Sequence, residues 1–229
     1  MSAHLSEEEQ LEALKRWWKD NGKGVVMAVV LGLGATWGWN SYQDYKEEQA
    51  QQASLVYLQM LDAESAASPS ERTEQQKADI TRHAVTLKDE HAGTQYAYYA
   101  SLMLAKLAVE QSDLDTAATE LESVLDSGAD EGLKAIANLR LARVQAARGK
   151  HQEALALLDS NVSGALAADY AEVRGDIYLQ QGDNSAAYTA YKLAMELAVA
   201  AGEQSNQLLQ LKLNRVESAG SEVASEAAE

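Results

Sequence analysis

Residues that usually carry enzyme chemistry are sparse in this chain. It contains no cysteine, and its four histidines (His4, His83, His91 and His151) lack the spacing of a metal site. The GxSxG motif of a serine nucleophile and the GxxxxGKS or GxxxxGKT motif of a phosphate-binding loop do not occur. We therefore expect a protein that is not an enzyme, with no catalytic residue, no metal site and no cofactor.

One pair of side chains has the spacing of a binding site. Arg140 and Arg143 are three residues apart, so they are neighbours on one helix face. A groove of aromatic, aliphatic and occasional basic side chains suits an extended or helical peptide. In the alternative interpretation, the two arginines only pair with nearby acids such as Glu122 or Asp126.

A repeat of small residues indicates the elements that would position this groove. Three small residues are each followed twelve positions later by an alanine: Ala105 by Ala117, Ala142 by Ala154, and Gly175 by Ala187. The offsets between units, 37 and 33 residues, are close to the period of about 34 residues in tetratricopeptide repeats, in which two antiparallel helices touch. The pattern predicts three helical hairpins stacked as an α-solenoid.

We expect the first helices of the hairpins over 95–111, 133–148 and 167–181, and the second helices over 114–126, 152–160 and 185–200. First helices line the concave surface of such a stack. The predicted protein-binding groove consists of Tyr99, Leu102, Lys106, Ile136, Leu139, Arg143, Glu172, Asp176 and Leu179. A helix near 204–217 would cap the stack, and the acidic residues 218–229 would form a disordered tail.

Residues 24–43 contain no charged side chain. As a helix they would be about 30 Å long, which matches a bilayer core. Trp17 and Trp18 precede the segment and Trp37 and Trp39 lie at its far end, as expected at two membrane interfaces. The sequence predicts one transmembrane helix. Four basic residues between 15 and 23 favour a cytoplasmic location for residues 1–23, which leaves 44–217 outside the cytoplasm.

Glycines in this segment indicate a helix contact. Gly32, Gly34 and Gly38 have the close spacing that lets another transmembrane helix approach, although glycine is also common in membrane helices without a partner. Before the segment, Ser6 begins a capping box, and an apolar face follows that contains Leu11. This face would rest on the inner bilayer surface or bind a cytoplasmic partner.

Composition sets the broad class. The 35 acidic residues exceed the 19 basic ones, and the net charge of −16 argues against binding to nucleic acid. A chain with 46% apolar residues, abundant alanine and one proline favours helices over sheets. The predicted fold class is all-α, with an N-terminal transmembrane helix followed by the α-solenoid.

The ordered motifs of the chain resemble one known family, the ancillary subunit of the bacterial SecYEG translocon (YfgM-type). The similarity covers about residues 10–215 and is carried by these segments: 12–18 (EALKRWW), 21–23 (NGK), 31–39 (LGLGATWGW), 53–57 (ASLVY), 100–102 (ASL), 133–145 (LKAIANLRLARVQ) and 169–182. The resemblance implies a single-pass protein of the bacterial inner membrane with a periplasmic tetratricopeptide-like domain.

The same resemblance implies a role without catalysis. The expected partners are the SecYEG translocon, a membrane-anchored periplasmic chaperone of the prolyl-isomerase type (PpiD-like) and unfolded envelope proteins, which the adaptor helps to pass to periplasmic chaperones. The cytoplasmic segment is linked in this family to restraint of an envelope-stress regulator. The alternative function is an anchored scaffold for cell-wall or outer-membrane assembly machinery, and an anchored enzyme is a more distant one.

Overall fold

The computed structural model describes residues 7–159, 166–202 and 207–226, and the regular elements along them are all α-helices. They are α1 (Glu7–Ser65), α2 (Glu74–Glu90), α3 (Gln95–Glu110), α4 (Leu114–Leu125), α5 (Glu131–Ala147), α6 (His151–Leu157), α7 (Leu166–Gln180), α8 (Asn184–Ala200) and α9 (Gln207–Glu226). The all-α prediction is confirmed.

Two compact units divide the chain, Met1–Gln52 and Ala53–Glu229. The described part of the first unit is helical throughout and belongs to α1. Its large apolar side chains are exposed, with Leu31 at 67% and Trp37 at 75% of their full accessibility. The predicted cap residue Ser6 lies outside the described residues. The finer boundaries predicted at residues 23, 43 and 217 stay predictions.

The membrane span predicted for residues 24–43 is not found. Nowhere in the described ranges does a helix combine the length and the apolarity that a bilayer crossing requires. The prediction relied on the absence of charge, whereas strongly apolar residues are confined to the first half of the segment. Its second half holds polar residues such as Asn40 and Gln43. The orientation predicted for the chain stays a prediction.

The turns inside the three predicted hairpins share one hydrogen-bond pattern. The amides of Asp113, Lys150 and Asp183 donate to the carbonyls five residues earlier, those of Ala108, Gln145 and Tyr178, at 2.8, 2.9 and 2.9 Å. The residue before each donor has positive φ: 61° at Ser112, 78° at Gly149 and 78° at Gly182. This bond closes the end of a helix when one residue is left-handed, a conformation that favours glycine. The three hairpins therefore repeat in their backbone conformation as well as in their sequence.

The predicted small residues lie where the two helices of each hairpin meet. Ala117, Ala142 and Ala154 are completely buried. The tightest contact is at Gly175 in α7, where an added Cβ would lie 2.5 Å from two ring carbons of Tyr191 in α8. The tyrosine ring thus occupies the space that a side chain at position 175 would need, which confirms the register of the third hairpin.

Four clusters of buried side chains form the core of the second unit. One joins the end of α1 to α2 and α3 around Met60, Ile80 and Leu87. The next two follow the hairpins α3–α4 and α5–α6 into the helix after each. The last holds α7, α8 and α9 around Tyr191. Each cluster draws on successive elements, as in a stack of repeats.

Helix α2 begins at Glu74, where Thr73 and Gln76 form a capping box. Helix α9 continues from Gln207 to Glu226, and the disordered tail predicted over 218–229 stays a prediction.

Candidate protein-binding groove

Helices α3, α4 and α5 surround a groove of about 460 Å³. Side-chain caps define where each helix starts: Thr94 accepts a bond from an amide of α3, Asp113 from one of α4 and Asp130 from one of α5. The walls are largely apolar and consist of Ala105, Val109, Leu114, Leu121, Val144 and Ala147. Four charged side chains complete the lining: Lys106, Glu110, Arg140 and Arg143.

Two of these four charges are matched by neighbouring side chains. Lys106 Nζ lies 2.7 Å from Glu64 Oε1. Glu110 accepts from Arg72, with 3.1 Å between Nη1 and Oε2. Arg72 is buried and also bonds Glu64, so these four side chains form one ionic cluster at the edge of the groove. The cluster leaves no net charge on this edge.

Arg140 and Arg143 make no ion pair with any carboxylate of the described residues. The pairing with Glu122 or Asp126 that the sequence left open is therefore not formed. Taken as whole residues, both arginines are exposed, and both line the groove. Two positive charges thus stay unmatched beside apolar walls.

The pKa of Arg140 reflects its low-polarity surroundings. Partial burial lowers the pKa of Arg140 below its usual range, and the positive charge of Arg143 lowers it further. The side chain stays protonated at physiological pH, because arginine titrates far above it. A charged group that has lost part of its hydration interacts more strongly with an anion than a fully solvated one.

Comparison with known proteins identifies the family. Residues 15–218 match the family described as tetratricopeptide repeat-like domain. The ancillary SecYEG translocon subunit of Escherichia coli strain K12 is 33% identical over 216 residues, covering 94% of this chain and 99% of that protein. The chain belongs to the ancillary SecYEG translocon subunit family. The resemblance seen in the sequence is thereby confirmed.

Other members of the ancillary SecYEG translocon subunit family match over the same length. The Haemophilus influenzae subunit is 32% identical and covers 94% of the chain and all of its own length, 100%. The Neisseria gonorrhoeae subunit is 28% identical over 93% of the chain. No solved structure matches the chain significantly. The similarity thus includes both α1 and the repeats.

Of the nine groove residues predicted for this family member, four are considered first: Lys106, Arg143, Ile136 and Tyr99. Lys106 and Arg143 line the groove, as their equivalent repeat positions suggested. Ile136 is half-buried and packs against the core cluster of α3, α4 and α5. Tyr99 is exposed on α3, where its ring centroid lies 5.7 Å from that of Tyr57. These four do not form one continuous surface of the groove.

Leu102 and Leu139 were predicted to face a partner and instead are core residues. Their exposure is 7% and 5%, and each belongs to a buried cluster between successive helices. The prediction placed these leucines on the concave face of the first helices, but in the structure they lie between successive helices. Neighbouring repeats cover the rest of each helix.

Glu172, Asp176 and Leu179 of α7 do not line the groove and instead contact side chains of the last repeat and α9. Lys212 of α9 lies 2.7 Å from both Glu172 Oε1 and Asp176 Oδ1. Leu179 packs against the cluster of α7, α8 and α9. Helix α9 thus covers the part of the concave surface to which α7 would contribute.

Several lining residues were missed from the sequence. Leu114 and Leu121 come from α4, a second helix, whereas the prediction used first helices only. Arg140 was considered as a neighbour of Arg143 but not placed in the groove. Its position three residues before Arg143 is the signal that could have included it, because both then lie on one face.

The remaining candidate contact is on α1. A Cβ built at Gly32, Gly34 or Gly38 would meet nothing within 4 Å. The described part of this unit therefore leaves the glycine face open, and contact with another helix stays a prediction.

In the described ranges, no group of three or more His, Asp or Glu side chains could hold a metal ion.

Proposed function

We propose that this chain is an adaptor of the SecYEG translocon at the bacterial inner membrane. In this function the repeat unit, on the periplasmic side, holds exported proteins and passes them to periplasmic chaperones, including a membrane-anchored chaperone of the prolyl-isomerase type. The observation that carries the proposal is the match with E. coli's ancillary SecYEG translocon subunit over 99% of that protein's length. A groove lined by apolar and basic side chains supports it, because such a surface suits a peptide.

The exposed apolar side chains of α1 support a second part of the proposal. Val30, Leu31 and Leu33 are each more than 60% exposed and lie beside the open glycine face. Contiguous exposed apolar surface is typical of a contact site. We propose that this part of α1 contacts apolar helices of the translocon, which glycines would allow to approach closely.

The first residues of α1 have a further proposed role, in restraint of the envelope-stress regulator. Leu11, Leu14, Trp17 and Trp18 are at least 50% exposed. Tryptophan side chains are enriched among the residues that dominate the energy of protein interfaces. Changing Leu14 and Trp17 to Gln should release the regulator without changing copurification with the translocon. An unchanged stress response in this variant would contradict the role.

Affinity purification tests the main proposal. The tagged full chain is purified from membranes in mild detergent, with an untagged strain as control, and its partners are identified by mass spectrometry. We expect translocon subunits to be enriched. Enrichment of cell-wall or outer-membrane assembly proteins in their place would contradict the proposal and favour a scaffold. A reporter that is active only outside the cytoplasm, fused after Glu229, tests the proposed side of the membrane.

Photo-crosslinking tests the groove in the same membranes. A photoreactive amino acid at Val109 or Ala147 lies in the lining, whereas one at Glu122 or Glu196 is exposed elsewhere. Client crosslinks should form from the first pair and not from the second. Equal yields from both pairs would exclude the groove as the client site while leaving association with the translocon untouched.

A further inference from the structure

We propose that the groove between α3, α4 and α5 binds a peptide segment in which a carboxylate follows apolar side chains, and that Arg140 and Arg143 hold the carboxylate. This inference rests on the proposed function and deepens it, because it names the chemistry of the bound segment. The ligand is then an acidic peptide segment, although the adaptor itself carries a net charge of −16.

The first part of the argument is the charge that remains unpaired in the groove. Lys106 is matched by Glu64 and Glu110 by Arg72, so the residual charge of the lining comes from Arg140 and Arg143. Like charges three residues apart on a helix repel each other and destabilise it. With 35 acidic residues in the chain, a compensating partner would be easy to supply, yet no described carboxylate provides one.

The second part of the argument is the size and the apolar wall of the groove. At about 460 Å³ it admits a few side chains but not a folded domain, and its size falls in the usual range for ligand pockets. A free inorganic anion would use the arginines and leave the apolar wall of Val109, Leu114 and Val144 in water. A peptide with leucine-like side chains beside a carboxylate would cover both, which is why the occupant is a peptide rather than a free anion.

The third part of the argument is the chemistry of the two guanidinium groups. Guanidinium groups form paired, charge-assisted bonds with the two oxygens of a carboxylate. Arg140 is partly desolvated by its surroundings, as the lowered pKa reflects, and this strengthens such a bond. The negative charge elsewhere on the chain repels acidic peptides at a distance, so association should be slow and the affinity modest.

Binding of short peptides to the full chain tests the inference. The probe is a fluorescein-labelled peptide of leucines and alanines ending in two glutamates, and the matched peptides end in two glutamines or two lysines. Fluorescence anisotropy should show the glutamate peptide binding at least about tenfold more tightly than the glutamine peptide, as expected for charge-assisted bonds. The lysine peptide should bind most weakly. Equal binding of all three would overturn the inference.

Two double variants separate the arginines from the overall charge. Arg140→Gln with Arg143→Gln should abolish the preference for the glutamate peptide. Arg82→Gln with Lys192→Gln removes the same charge from exposed positions outside the groove and should retain the preference. Equal loss in both variants would overturn the role of the arginines. Arg140→Lys with Arg143→Lys should bind with intermediate affinity, because lysine keeps the charge without the paired bonds.

The chain's own acidic end is the competing occupant. Changing Glu222, Glu226 and Glu229 to Gln in the full chain should leave peptide affinity unchanged. An affinity several-fold above that of the wild type would overturn the inference, because it would show that the C-terminal segment fills the groove. Copurification with the translocon is measured on the same variants. If the Arg140→Gln, Arg143→Gln variant still copurifies with the translocon, that association does not depend on the arginines. A failure to bind peptide would then contradict this inference and leave the proposed function standing.

Discussion

Equivalent positions in successive repeats have opposite chemistry. Lys106 and Arg143 follow the small residues of the first two hairpins and line an open groove. Asp176, at the same position of the third hairpin, is bonded to Lys212 of α9. The three positions share one register, so the backbone does not distinguish them. What distinguishes them is whether a further helix covers the surface, and this decides which part of the solenoid can bind.

The electrostatics of the two regions follow from that difference. Burial alone would lower the pKa of Lys212, but its bonds to Asp176 and Glu172 outweigh burial and raise it. Arg140 in the open groove has no such carboxylate, and its pKa is lowered. The charges of Glu172 and Asp176 are paired within the chain, whereas the groove keeps two charges, on Arg140 and Arg143, that no described carboxylate pairs.

The largest effect is expected where the closed region is packed most tightly. Gly175→Ala places a methyl group 2.5 Å from the ring carbons of Tyr191, so the ring must move and the unfolding free energy should fall by about 2–3 kcal/mol. Thermal or denaturant unfolding measures this change. Gly34→Ala on the open face of α1 is the matched control and should not destabilise the chain, since nothing lies near it. Equal stability of both variants would refute the contact.

The next effect concerns the lysine that closes the third repeat. Lys212→Met leaves Glu172 and Asp176 together without their cation, and the loss should be about 1–3 kcal/mol with faster hydrogen exchange in α9. Lys192→Met, at an exposed position of α8, should change neither quantity. If exchange in α9 is the same in both variants, Lys212 does not hold this helix in place.

A smaller, pH-dependent effect is expected beside the open groove. The hydrogen bond from Lys106 lowers the pKa of Glu64 below its usual value of 4.5, and Arg72 adds to this effect, although burial opposes it. Because the folded state has the lower pKa, the stabilisation is complete above pH 4.5 and is lost as pH falls through the folded value. Glu64→Gln should cost about 1 kcal/mol or less at pH 7.

Unfolding measured across the acid range checks this linkage. The gap in stability between wild type and Glu64→Gln should narrow as the wild-type carboxylate becomes protonated. Asp62→Asn, two residues away at an exposed position of the same helix, is the control and should show no such gap. A gap for Glu64→Gln that stays constant down to about pH 3 would show that the ionised carboxylate does not stabilise the fold.

A similarly small effect is expected when one hydrogen bond of the closed region is removed. The Tyr191 hydroxyl donates to Asp176 Oδ1 at 2.8 Å, and burial together with this bond raises the tyrosine's pKa. Tyr191→Phe should cost about 1 kcal/mol. Tyr188→Phe, half-buried on the same helix, should cost less. The reverse order of the two would show that the bond to Asp176 contributes nothing.

Predictions from the sequence succeeded where they depended on local spacing. Ala142, Ala154 and Gly175 were expected at close helix contacts and lie there. The spacing of small residues is set by the rise and turn of the helices, so it can be read from the chain alone. The turns at Ser112, Gly149 and Gly182 likewise lie between the helix ranges expected from the sequence.

Predictions failed where they required knowledge of what covers a surface. Leu102 and Leu139 have the helical position of groove residues, but neighbouring repeats bury them. The span predicted for residues 24–43 assumed that an uncharged segment is apolar enough to cross a membrane, which the structure does not support. Charge and periodicity describe single segments and contain no information about the elements that pack on them.

The sequence by itself thus determined the all-α class, the three hairpins and their register, because helix caps, left-handed turns and small residues act within a few turns of chain. Only the tertiary structure decided which concave positions are open. Helix α9 follows the hairpins in sequence, but its lysine neutralises Glu172 and Asp176 only because the stack brings residues about 40 positions apart within hydrogen-bond distance. Arg140 and Arg143 remain without a carboxylate because no described helix packs across them.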